Sequence, residues 1–199
     1  MKIKTLLAAL GLGLAVSLAM PAVGQTTGSV SSASKTGENQ TYTSEEIIST
    51  GHRFFGKTTR GLAEAVEYVF KSQGEPTAYI VGEEGSGAII GGLRYGEGTI
   101  YYKNGTKQRI YWQGPSLGWD FGGNGSRSLV LVYHSSSPRQ LYRRFGGVEG
   151  SAYFVGGLGV NFQKYGDIVL APIRTGVGLR LGANVGYLKY SGKPNWNPF

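Results

Sequence analysis

No cysteine occurs in the 199-residue chain, which excludes a disulfide framework, a Cys-ligated zinc, a thiol nucleophile and the acylated cysteine of a bacterial lipoprotein. Histidine is almost as scarce. Only His52 and His134 are present, and neither has a second ligand at helical or hairpin spacing, so no metal and no cofactor is expected. The apolar run Leu6 to Ala19 is shorter than the ~20 residues that cross a bilayer. Preceded by Lys2 and Lys4 and followed by Pro21 and Ala22-Val23-Gly24, it reads as a signal peptide over residues 1–24, cleaved between Gly24 and Gln25. Charge is sparse at 16% of residues, and it is unbalanced, with 20 Lys plus Arg against 12 Asp plus Glu. An exported basic chain without disulfides fits the periplasm. Its expected partners there are lipid, lipopolysaccharide or another anionic envelope component, not nucleic acid.

Glycine is what the chain has in excess, 34 residues. Residues 25–41 carry Gly, Gln and Ser/Thr with one Val and no aromatic until Tyr42, so they are expected to be a disordered lead-in. Residues 42–199 then form a single domain opening with helices over about 43–74. Thr43 with Glu46 is a capping-box pair ahead of Ile47 and Ile48. Leu62, Val66, Val69 and Phe70 recur at helical spacing before Gly74, and Gly51, Gly56 and Gly61 are expected to break the helical region in two. Beyond Pro76 the pattern is short strands: 79–81, 88–90, 99–102 and 108–112, with Asn104-Gly105 as a two-residue hairpin turn. Leu129 to Tyr133 and Ile168 to Ile173 are continuous apolar runs, which implies cover on both faces. A short helix is expected around Leu141 to Phe145. In 151–162 and 176–188 bulky apolar residues alternate with glycine. One face is then apolar and the other nearly bare backbone, as suits tight barrel curvature under a packed helix, or a ligand lying on the strand.

Several motifs match catalytic patterns in letters only. Gly51 to Thr58 fits the P-loop pattern, yet it follows a helix cap and carries Phe54 and Phe55, better placed as core anchors at the helix break. Gly114-Pro115-Ser116-Leu117-Gly118 fits the nucleophile elbow, with Asp120 and His134 in hydrolase order, but Trp119 and Phe121 continue as a strand where a helix is required. Glu83, Glu84, Glu97 and Asp120 could supply a glycosidase carboxylate pair; solvated loop charges are the plainer reading. Lys103, Lys107, Arg109, Arg139, Arg143 and Arg144, interleaved with Trp112 and Tyr142, are candidate contacts to an anion or lipid, because cations beside aromatic rings suit a membrane interface.

The stretches His52 to Lys57, Tyr111 to Gly123 and Lys193 to Phe199 resemble the EipA family of bacterial periplasmic envelope-integrity proteins, over about Tyr42 to Phe199. That resemblance implies a small soluble Gly-rich antiparallel β-barrel with helices packed on it, a role in keeping the envelope intact, and no established catalytic residues. More distantly, Ser86 to Leu93 and Pro115 to Val132 are similar to the SYLF lipid-binding domain, which implies a lipid ligand. The expectation is therefore a mainly β, non-enzymatic periplasmic protein that supports envelope integrity by binding lipid or another amphipathic component. A small outer-membrane β-barrel and an envelope hydrolase using Ser116 are the alternatives.

Overall fold

The computed structural model describes residues 40–56, 59–87, 93–115, 125–175, 186–195 and 197. The expected leader, its junction at Gly24 and Gln25, and most of the lead-in lie outside these. The first helix, α1 (Ser44–Phe55), starts where the sequence places it: the Thr43 side chain accepts from the Glu46 amide, and the Glu46 carboxylate accepts from the Thr43 amide. Contrary to expectation, Gly51 does not break this helix. A Cβ there would stand 2.7 Å from Leu62, so the glycine lets α2 (Leu62–Gln73) pack close. The break falls after Phe55, and α2 begins from Gly61, whose φ of +79° and 2.7 Å approach to the Val155 carbonyl exclude a side chain.

The described residues form ten strands after the helices: β1 (Ala78–Gly87), β2 (Leu93–Tyr102), β3 (Lys107–Pro115), β4 (Ser126–Tyr133), β5 (Arg144–Gly147), β6 (Tyr153–Val155), β7 (Leu158–Val160), β8 (Gln163–Tyr165), β9 (Ile168–Thr175) and β10 (Tyr187–Ser191). Eight of them close a ring in the order β4-β1-β2-β3-β10-β5-β8-β9, sealed by β9 pairing back to β4. All pairings are antiparallel. The chain is a closed β-barrel with two helices on its wall.

The hairpin at Asn104-Gly105 forms as expected, with Gly105 at φ +84° between β2 and β3. Two expectations are corrected. The helix near Leu141 is a single 3₁₀ turn, Pro138–Leu141, and Arg144 and Phe145 already belong to β5. Pro138 opens that turn, and Arg144 and Phe145 pair with β10. Residues 151–162 do not form one alternating strand either. Gly156 and Gly157, both at positive φ, fold them into the β6–β7 hairpin. Tyr153 and Val155 then share a face with Leu158 and Val160 against the helices, while Phe154 points to solvent. The companion stretch 176–185 lies outside the described residues.

Two apolar cores lie back to back. Leu129, Leu131 and Tyr133 of β4 and Val169, Ala171 and Ile173 of β9 face outward onto Ile47, Leu62, Val66 and Val69 of the helices. Val130, Val132 and Leu170 from the same strands face into the barrel with Ile80, Ile100, Ile110, Trp112, Phe145 and Tyr190. This accounts for the two unbroken apolar runs. Leu141 of the 3₁₀ turn is buried in the inner core and stops the lower end of the barrel, beside a Tyr102 hydroxyl bonded to Ser135 at 2.7 Å.

Candidate functional site

The upper barrel is polar inside. Ile80, Gly82 and Glu84 alternate inward along β1, and Ile168, Leu170 and Arg174 do so along β9. That parity delivers a carboxylate and a guanidinium to the same interior level. Arg174 Nε donates to both Glu84 oxygens at 3.0 Å, Trp112 Nε1 donates to Oε1 at 3.0 Å, and Arg94 Nε lies 3.7 Å from Oε2. Arg174 Nη1 donates to Asn161 Oδ1 at 2.6 Å. Burial acts to raise the Glu84 carboxyl, but the two guanidinium charges and the bonds from Arg174 and Trp112 outweigh it and hold the group below its ordinary range. Glu84 is therefore not the solvated loop charge the sequence suggests; it is 4% exposed. Its placement on the apolar parity of β1 was the available signal. Trp112 fits because Gly96, opposite it on β2, has no side chain: a Cβ there would overlap the indole.

Outside, over β1, β2 and β3, lies a recess of about 510 Å³. Register sets its two rows. Glu83, Glu97 and Tyr111 are opposite one another in one, and Gly85, Tyr95 and Gln113 in the next. Pro194 and Asn195 line it from beyond β10. Glu83 and Glu97 are like charges on directly opposed positions, and each is held by an exposed cation, Arg127 at 3.7 Å and Arg109 at 3.3 Å. Gln113 is 1% exposed, and among the described residues its Nε2 has no hydrogen-bond partner. Sequence inspection passed over Gln113 and Tyr95, because only strand register brings them together.

A third feature is basic. Arg144 of β5 and Lys189 of β10 occupy directly opposed outward positions. The Arg144 guanidinium lies 5.4 Å from the Tyr187 ring centre. Lys164 sits on the next strand, opposite Gly146, and Arg139 and Arg143 are exposed at the lower rim. Among the described residues no carboxylate pairs with Arg139, Arg143, Arg144 or Lys164.

The candidate contacts read from sequence therefore divide. Arg144 belongs to this basic face, while Arg139 and Arg143 are exposed just ahead of β5, on either side of a half-buried Tyr142 whose hydroxyl accepts from Gln108 Nε2 at 2.8 Å. Lys107 is exposed at the start of β3. Lys103 is tied to Glu46 and lies over the Tyr42 ring, and Arg109 is paired with Glu97. Trp112 is 1% exposed inside the barrel and shares no surface with the cations.

Of the catalytic letter-matches, Ser116 and Asp120 lie outside the described residues. Pro115 ends β3 at the upper rim, whereas His134 comes after β4 at the lower one, where its Nδ1 is 2.9 Å from the Asp167 carbonyl oxygen. Residues 51–55 of the P-loop pattern are helical, not the loop after a strand that phosphate binding needs. Among the described residues no three metal-ligating side chains cluster, and no helix is long and apolar enough to cross a membrane.

A closed barrel, a helical layer over one wall, and a recess and basic face on the outer surface define a small β-barrel protein. The family model of EipA, envelope integrity protein A, matches residues 40–199, and the chain belongs to that envelope-associated family. It is also similar to a crystal structure of a β-barrel-like, uncharacterized protein from Brucella abortus, at 60% identity and a TM-score of 0.74, covering 80% of this chain and 99% of that one. No curated protein matches.

Proposed function

We propose that this protein works in the periplasm, without catalysis, by laying its basic β5–β10 face against an anionic lipid or lipopolysaccharide surface and so supporting envelope integrity. The observation that carries this reading is the row of cations Lys189, Arg144 and Lys164 on the adjacent strands β10, β5 and β8. Among the described residues no carboxylate pairs with Arg144 or Lys164 of this face, and an anionic partner would supply the counter-charge. The family supplies the envelope role. The outward faces of β2, β3, β5 and β10 carry Glu97, Arg109, Arg144 and Lys189, which supports an aqueous setting over a bilayer-spanning barrel, whose outer band must be apolar.

Liposome capture tests the proposal. Anionic vesicles should retain the protein at low salt and release it as ionic strength rises, while neutral vesicles should not retain it. A basic residue near an anionic surface contributes about 1 kcal/mol, so Arg144→Ser with Lys189→Ser should weaken capture about 30-fold. Equal indifference to both vesicles, or capture unchanged in the double variant, removes this reading.

A further inference from the structure

We propose that the outer recess over β1, β2 and β3 binds a neutral carbohydrate chain, beside the basic face, whose Lys189 is opposite Gln113. At about 510 Å³ the recess has the size of an established small-molecule site. What it contains selects the ligand. Tyr95 and Tyr111 bring two phenol rings to adjacent rows, and a sugar's C–H face stacks on such rings while its hydroxyls stay at the edge. Gln113 lines the recess and is 1% exposed, and its buried amide N–H has no hydrogen-bond partner among the described residues. Asn195 lines the same recess with a second amide. Glu83 and Glu97 stand opposite one another, with carboxyl oxygens suited to receiving sugar hydroxyls.

The competing ligands fit less well. A phosphate or fatty carboxylate would have to compete with Glu83 for Arg127 and with Glu97 for Arg109, breaking ion pairs to make its own. A plain acyl chain would cover the tyrosines but leave the Gln113 donor unsatisfied and strip water from two carboxylates, both of which cost free energy. A polyhydroxylated ring alone uses the aromatic faces, the amides and the carboxylates together. Gly85 keeps the end of the second row open, since a Cβ built there meets nothing within 4 Å.

The recess can thus be filled without disturbing the fold. Titration calorimetry of the purified protein with tetramers of N-acetylglucosamine, tetramers of glucose and lauric acid tests the site. The two saccharides separate an amino-sugar source from a hexose source. Saturable binding of one tetramer is expected, weakened about tenfold or more by Gly85→Leu and by Tyr111→Ala. Gln113→Met should weaken it too, with a Tm equal to or above that of the parent, because an unsatisfied buried donor is removed. A merely structural glutamine would lose Tm and leave binding intact. No binding of either tetramer, saccharide binding indifferent to Gly85→Leu, or lauric acid as the ligand that Gly85→Leu displaces would each overturn the proposal. Liposome capture should be unchanged in Gly85→Leu, so failure here is distinguishable from failure of the basic face.

Discussion

At Glu84 a carboxylate sits inside the barrel among Arg174, Arg94 and Trp112, and these neighbours set how stability depends on pH. The unfolded carboxyl titrates near 4.5, and the folded one below that. The folded protein therefore binds fewer protons through this interval. The contribution to stability is complete above the unfolded value and is lost as pH falls through the folded one. Glu84→Gln should cost about 3–5 kcal/mol at pH 7, because Arg174 and Arg94 would remain with no buried counter-charge. In urea titrations the gap between parent and variant should narrow below pH 4.5. A gap of constant size down to acid unfolding would mean that Glu84 is not the ionised partner. The same residue shows why this cluster was hard to read from sequence. Glu84 and Arg174 are 90 positions apart, and Glu84 sits beside Glu83, which faces solvent, so local composition disguised a core residue as one of a loop pair.

Elements with a local cause were legible. The α1 start needed only Thr43 and Glu46, and the β2–β3 hairpin only Asn104 and Gly105, because each is closed by hydrogen bonds within four residues. Elements whose cause is tertiary were not. Gly51 breaks an isolated helix on propensity, yet here it lies under Leu62. Phe154 looked inward by parity until the Gly156-Gly157 turn reset the count. The outer recess was illegible for the same reason, since Tyr95, Gln113 and Asn195 meet only through strand register and the path of the chain after β10. The capping box can be tested at this scale. Thr43→Ala should lower stability by about 1 kcal/mol, read as a shifted urea midpoint at constant slope. An unmoved midpoint would mean that the Glu46–Lys103 pair alone fixes the start of α1.

For the whole molecule, the governing feature is that β4 and β9 are one wall shared by two cores. Along the edge of β9 away from β4 the partner changes from β8, ending at Leu170, to β7, beginning at Ile173. Ala171 and Pro172 occupy the interval, a position where a residue without an N–H is tolerated. From there β8 continues the ring, while the β6–β7 hairpin joins the helical layer through Leu158 and Val160. Neither core can be exposed without uncovering one face of the strands that close the other. The helices and the barrel should therefore unfold together. Leu62→Ala, in the outer core, and Ile80→Ala, in the inner one, each remove a fully buried side chain and should each cost about 2–5 kcal/mol. In both variants far-UV circular dichroism and tryptophan fluorescence should report one coincident transition. If Leu62→Ala instead produced an early loss of helical signal with the fluorescence transition left in place, the helical layer would be an independent unit and the shared wall would not couple the two cores.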